Sequence, residues 1–276
     1  MLPVRRDIQF DFPAERIGNW HADGVAITQF FNALSVTFPD GERFFIHAVR
    51  QFRDQISDPQ LKAAVTAFIG QEAMHGREHE HWNALYFERV PAARKINAFA
   101  SKRLQRWKRW LPKTTQLAMT IGAEHVTAVL GDYILRHPEV LNGRQGGSEP
   151  VFVAMLRWHA MEETEHKAVA YDVWKSVMRR NPRAYLERSL GLAFMLVAYW
   201  PVMNKLIIEG IKAETGSAPD GADIARLKAF LYGPQGLMRN LAIPMLSYFR
   251  PGFHPWDDDN RELLAEMDSI EAAYAA

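Results

Sequence analysis

Apolar residues recur along this chain at alternating spacings of three and four, the period of an amphipathic helix, and four long stretches carry the pattern. In the first, Glu42, Phe45, Val49, Phe52 and Ile56 share one stripe. In the second the stripe is Val65, Phe68, Glu72, His75, His79, Trp82 and Tyr86. The third gives Leu117, Ile121, Glu124, Ala128, Gly131 and Leu135, and the fourth His159, Glu163, His166, Ala170, Val173 and Val177. Punctuation sets the limits. The first helix follows TFPDG with Asp40 as N-cap and runs to about 56. The second opens at Asp58-Pro59, an N-cap followed by proline at the first helical position, and runs to about 90. The third spans roughly 113–136, and the fourth runs from about 150 to 180, stopping before Asn181-Pro182. Strand-like alternation is confined to Val4–Phe12, so the fold class is all-α.

These limits divide the chain into an N-terminal extension (1–39), a helical bundle (40–180) and a helical C-terminal appendage of the same domain (181–276). The most hydrophobic stretch, LGLAFMLVAYWPV at 190–202, lies in the appendage. Asn204 and Lys205 end it well short of the roughly 20 residues that span a bilayer. A buried core helix kinked near Pro201 is the first expectation, and an interfacial membrane helix the second.

Composition narrows the chemistry. The chain has no cysteine, which excludes disulfides, iron–sulfur clusters, thiolate zinc sites and cysteine nucleophiles, so any metal must be held by His and carboxylates. A net charge of +1 leaves no footprint for nucleic acid. The run from Lys102 to Trp110 is locally basic; it reads as a solvated helix face with two Trp turned inward, and contact with anionic lipid comes second. The N-terminus lacks the apolar core of a signal peptide, which points to the cytoplasm, with peripheral membrane contact as the alternative.

The stripes are apolar except for their Glu and His. A lone buried carboxylate costs several kcal/mol unless something pairs with it, and four together call for a cation. Depth agrees. Glu42 and Glu72 each lie 15 residues from the turn at Ser57, so they meet at one level, roughly 20 Å from it. Glu124 and Glu163 stand about equally far from the middle of their own loop. Two of these glutamates belong to Glu-x-x-His pairs, Glu72/His75 and Glu163/His166, whose i, i+3 spacing puts both members on one face. Chance supplies roughly 0.65 such pairs in a chain of this composition. The third pair present, Glu78/His81, falls off the stripe by helical phase and reads as surface.

This constellation resembles the ferritin-like di-iron carboxylate proteins, in which two helices give one Glu each and two give Glu-x-x-His. The resemblance covers about residues 40–180 and implies Glu42 and Glu124 as single carboxylates, with Glu72/His75 and Glu163/His166 as the paired ligands. The whole chain also looks like the bacterial family of predicted metal-dependent hydrolases, through RWHAMEETEHK at Arg157–Lys167 and YFRPGFHPWD at Tyr248–Asp257. His159, four residues before Glu163, is similar to the additional His of the arylamine N-oxygenases and is a seventh candidate ligand; His79 is either an eighth or a hydrogen-bond partner. A rival motif, His75-x-x-Glu78-His79, matches the inverted zinc-peptidase pattern but leaves the other buried Glu and His without a role.

The resemblance implies two Fe ions, with Mn or Zn as substitutes, and O2 with an external electron donor as co-reactants. The expected function is oxidation of an apolar or aromatic small molecule, since Phe45, Phe68, Trp82 and Trp158 surround the stripe. The alternative is a hydrolase using a dinuclear Zn or Mn centre, and a third reading is a non-catalytic metal-binding protein. Oligomerisation is compatible with all three.

Overall fold

The computed structural model describes residues 2–178 and 183–275. Among them the chain forms eleven α-helices: α1 (Val25–Arg50), α2 (Pro59–Arg89), α3 (Pro91–Trp110), α4 (Lys113–Arg136), α5 (Glu139–Asn142), α6 (Pro150–His166), α7 (Val169–Met178), α8 (Ala184–Thr215), α9 (Gly221–Tyr232), α10 (Leu237–Leu246) and α11 (Met267–Tyr274). The expected all-α class holds. The alternation at Val4–Phe12 yields only a single bridge, Ile8 to Ala275, because this segment lies across helices and has no partner strand.

Helix α1 pairs with α2, and α4 pairs with α6, while α8 lies along α4 and α1. The start of α2 is as read from sequence: Asp58 caps it by accepting from the Gln60 N–H at 2.8 Å, and Pro59 occupies the first turn. Helix α1 corrects the reading. It begins at Val25, continues through Pro39 and ends at Arg50, so Asp40 caps nothing. The preceding residues are buried almost throughout, which favours helix strongly enough to absorb the proline. Proline removes the donor that would serve the Ser35 carbonyl four residues back. Asn83 on α2 replaces it, its Nδ2 donating to Ser35 O at 2.9 Å.

The fourth stretch is two helices, α6 and α7, broken at Lys167-Ala168. The expected stop before Asn181-Pro182 lies outside the described residues. The break is held by the C-terminal tail: Lys167 Nζ donates to Asp258 O and Asn260 Oδ1, each at 2.6 Å, and sits 4.3 Å from the centre of the Trp256 ring.

Two expectations about apolar segments fail. Helix α8 is not a buried core helix: Leu206 and Ile211 are buried, but Leu190 and Val197 are 58% and 76% exposed. It is long and apolar enough, by length and composition, to cross a membrane. On α3 the two Trp do not both turn inward, since Trp107 packs against Phe194 while Trp110 is 72% exposed.

Core side chains fall into two apolar clusters, one around Trp20, Phe31, Trp82, Phe152 and Trp158, the other around Val49, Phe68, Val173, Trp174 and Tyr248. A layer of Glu and His lies between them, with Trp158 edge-on to His75 and Phe68 edge-on to His166.

Candidate metal centre

All seven side chains expected as ligands are buried and converge in this layer: Glu42 from α1, Glu72 and His75 from α2, Glu124 from α4, and His159, Glu163 and His166 from α6. Their potential donor atoms form overlapping groups, each within 4.8 Å: Glu72, Glu124 and His166; Glu42, Glu72 and His75; His75, His159 and Glu163; and Glu42, His79 and His159. Glu163 faces both sides, its Oε1 3.0 Å from His159 Nε2 and its Oε2 3.5 Å from His166 Nε2. His166 Nε2 also stands 3.1 Å from Glu72 Oε1 and 3.6 Å from Glu124 Oε2. Gly76 makes room for Glu42, because a Cβ there would lie 3.2 Å from Glu42 Oε2.

Hydrogen bonds behind the layer decide which imidazole nitrogen points into it. His166 Nδ1 meets Gln71 Oε1 at 2.9 Å. The Gln71 amide is oriented because its Nε2 donates to Glu165 Oε2 and Val4 O. A carbonyl oxygen can only accept, so His166 Nδ1 bears a proton and Nε2 faces the carboxylates. His75 has no such bond: its Nε2 lies 3.1 Å from Glu162 Oε2 and its Nδ1 4.0 Å from Glu163 Oε1 as close contacts only. The longest row serves His159. Asn83, fixed by its bond to Ser35 O, accepts the Ser35 hydroxyl proton at Oδ1. Ser35 Oγ therefore accepts from His79 Nδ1 at 2.9 Å, and His79 Nε2 accepts from His159 Nδ1 at 2.8 Å. His159 Nε2 is left facing Glu163 Oε1 at 3.0 Å and Glu42 Oε1 at 3.9 Å, the position from which a neutral imidazole would offer its lone pair to a cation.

Electrostatics mark the layer as unbalanced. Burial, then the neighbouring Glu72 and Glu163 charges, push the Glu42 and Glu124 carboxyls well above the ordinary carboxylate range. Burial pushes the His75 and His79 imidazoles well down. For Glu163 and His166 the burial penalty is outweighed by their mutual attraction and hydrogen bonding, so the carboxyl titrates well below and the imidazole well above its usual range. Both oxygens of Glu42, Glu72 and Glu124 and both nitrogens of His75 are buried without a hydrogen bond. Oxygen- and imidazole-rich donors in this state fit a divalent cation, since, apart from the His166 imidazole 3.1 Å from Glu72 Oε1, these acceptors have no proton donor in place.

A family model described as "Predicted metal-dependent hydrolase" matches residues 4–259. The chain belongs to that family. No curated protein and no solved structure matches. The family's description agrees with the hydrolase alternative of the sequence reading better than with the oxygenase, and it leaves the metal unnamed. The two segments that carry the sequence resemblance to this family meet in space: Lys167, at the end of the first, lies against Trp256 from the second.

Sequence reasoning misplaced Glu78. It is fully buried, accepting from Phe10 N at 3.0 Å and Arg77 Nε at 2.7 Å, while His81 is exposed. Glu78 is outside every metal-ligating group among the described residues, so the inverted zinc-peptidase motif does not assemble. It missed Gln71, Glu162 and Glu165, which sit behind the layer. Arg6 pairs with Glu165 at 2.7 Å and Glu162 at 3.2 Å, yet burial still carries the Glu162 carboxyl up to about 8. The available signal was EETEH itself: four ionisable groups in five residues cannot all share one face, so a second cover had to exist.

An apolar cavity of about 400 Å³ adjoins the layer, walled by α1, α3, α4, α8 and α10. Phe38 and Thr127 separate the two. The Phe38 ring lies 4.8 and 4.9 Å from the His79 and His159 rings, and the Thr127 hydroxyl touches Glu163 Oε2. Arg103 reaches this cavity, stacked on Trp107, with its Nε buried and without a partner.

Proposed function

We propose that the protein is a metal-dependent hydrolase with a dinuclear centre, acting on an apolar small molecule that enters the cavity beside the Glu/His layer. The observation that carries the metal dependence is the set of buried carboxylates, Glu42, Glu72 and Glu124, left without hydrogen bonds. Glu72, Glu124 and His166 would hold one ion and Glu42, His75 and His159 the other, with Glu72 and Glu163 shared. This is the ligand plan of ferritin-like carboxylate proteins with one added His. When bound, such a pair polarises a carbonyl or phosphoryl oxygen and lowers the pKa of water at neutral pH.

The chain's own residues do the rest. Phe38, Phe44, Leu104 and Met195 bind an apolar group and exclude bulk water. Arg103, the only Arg, Lys or His among the described residues that line the cavity, offers an anchor for a carbonyl or anionic end of the substrate. Thr127 holds Glu163 from the cavity side, and the Asn83–Ser35–His79 row holds His159.

A second reading, O2-dependent oxidation by an iron form supplied with an external electron donor, is favoured by the near absence of polar groups in the cavity and by the extra imidazole of His159. Metal-depleted protein, reloaded separately with zinc, manganese or Fe(II), distinguishes them. The hydrolase reading expects close to two metals per chain by elemental analysis and anaerobic turnover of aryl or acyl esters or phosphoesters of apolar alcohols. Fewer than one metal in folded protein overturns the centre. Absence of hydrolysis, with O2 consumed by the Fe(II) form, moves the assignment to an oxygenase.

A further inference from the structure

Helix α8 turns an apolar stripe to solvent. Leu186, Leu190, Phe194, Val197 and Ile208 are all exposed, and their spacing of four, four, three and then eleven keeps them on one side, with Pro201 and Asn204 completing the row. Beside it runs α3, which carries seven Lys or Arg and no Asp or Glu over Pro91–Trp110. Arg94, Lys95, Lys102, Arg106 and Arg109 are exposed there with Phe99 and Trp110, and none of the five cations has a carboxylate partner among the described residues. The helices adjoin: Trp107 packs on Phe194 with ring centres 5.1 Å apart, and Arg103 donates to Ala198 O at 2.9 Å.

We propose that α3 and α8 form a docking face for an anionic lipid bilayer, with α8 lying in the plane of the interface. Cations beside an apolar row that ends in an exposed Trp complement acidic head groups over acyl chains, the arrangement of interfacial helices. A spanning role for α8 conflicts with its other side. Leu192, Met203, Leu206 and Ile211 are buried, and Gly191 approaches α4 so closely that a Cβ would stand 2.8 Å from the Ala118 carbonyl. A second protein copy would have to place the five cations of α3 against their own kind or against water, whereas the bilayer meets them with phosphate.

The same two helices wall the apolar cavity, through Ala100, Leu104 and Trp107 on α3 and Met195, Leu196 and Tyr199 on α8. A docked bilayer therefore lies within about one helix diameter, roughly 10 Å, of the cavity. Supply of an apolar substrate from the membrane rests on the function proposed above; the docking itself does not, and it is tested on metal-free as well as metal-loaded protein.

The test is cosedimentation of the full chain with vesicles of phosphatidylcholine alone and of phosphatidylcholine with phosphatidylglycerol. Binding to the anionic vesicles, weakened by salt, is expected. Val197→Asp removes the centre of the apolar row, and Arg106→Glu reverses one cation. Each should lower the vesicle partition constant at least five-fold, roughly the factor expected for one surface cation, with melting temperature and metal content unchanged. No binding to either vesicle, or equal binding by wild type and both variants, overturns the proposal. A concentration-dependent dimer that Val197→Asp dissolves, without vesicle binding, overturns it also and gives the face to a second copy.

Discussion

His79 Nε2 lies 2.8 Å from His159 Nδ1, so the imidazole of one histidine fixes the direction in which the other offers its lone pair. With its own Nδ1 bonded to Ser35, His79 has both nitrogens engaged, the arrangement of a residue that positions His159, although it also shares a candidate donor group with Glu42 and His159. His159→Ala should leave the fold and most of the metal, because six other donors remain, while changing the visible spectrum of a cobalt-substituted centre. His79→Ala should shift the same bands less and weaken cobalt affinity by about 10- to 100-fold, as loss of an outer hydrogen bond to a ligating His does. Cobalt titration of both variants followed by absorbance reads this out; identical spectra in wild type and both variants would sink the idea.

Gly76 gives a steric test of the same layer. Its missing side chain leaves the space that Glu42 Oε2 occupies. Gly76→Ala should move Glu42 and lower metal stoichiometry or affinity, although alanine favours helix more than glycine by about 1 kcal/mol. Melting temperature and metal content measured together should therefore part company.

The carboxyls of Glu42 and Glu124 are raised by burial and by neighbouring charge from an ordinary value of 4.5. A group whose pKa rises on folding stabilises the fold below its unfolded value and loses that contribution as pH climbs through its folded value. The raised His166 imidazole acts in the same sense above its ordinary 6.5. His75, His79 and Glu163, whose values are lowered, act in the opposite sense but only up to their ordinary 6.5, 6.5 and 4.5. Above about pH 6.5 metal-free protein should thus lose stability as pH rises, and a divalent cation should offset the loss by displacing the protons. Thermal melts with and without metal should show a larger metal-induced rise at pH 8 than at pH 6. Equal rises at the two values would contradict a proton-coupled site.

Two glutamates on one helix should respond differently. Glu72→Gln removes a carboxylate shared between two groups of donor atoms and should lower metal content outright. Glu78→Ala should leave metal content unchanged while costing about 1–3 kcal/mol of stability, because Arg77 and the Phe10 N–H lose their acceptor. Chemical denaturation beside elemental analysis separates the two effects.

How much of this was legible in the sequence follows from what each residue needs. The stripes of α2 and α4 could be read because helical period and polarity agreed along their whole length, and Asp58-Pro59 announced its own helix. Level-matching of Glu42 with Glu72 could be read because a short turn ties the two helices in register. The start of α1 could not: Pro39 ordinarily ends a helix, and the donor that rescues Ser35 O comes from Asn83, far away in sequence. Gln71, Glu162 and Glu165 were hidden for the same reason. Their justification is Arg6, at the other end of the chain, and no local periodicity connects them. Helix α8 misled because hydrophobicity reports a preference for leaving water and is silent on what takes water's place.

Pro39 leaves one carbonyl without its helical donor, and the row that begins there obeys a parity rule. Asn83 must give a proton to Ser35 O, so it must take one from the Ser35 hydroxyl; Ser35 must then take from His79, and His79 from His159. Reversing any member inverts every member after it. Asn83→Asp still accepts from the Ser35 hydroxyl and so keeps the row's direction, taking away only the donor to Ser35 O; a residue at 83 that gave a proton to Ser35 Oγ would turn the row around. A single missing N–H in the backbone thereby selects the tautomer of an imidazole in the Glu/His layer, and does so without any charge moving between them.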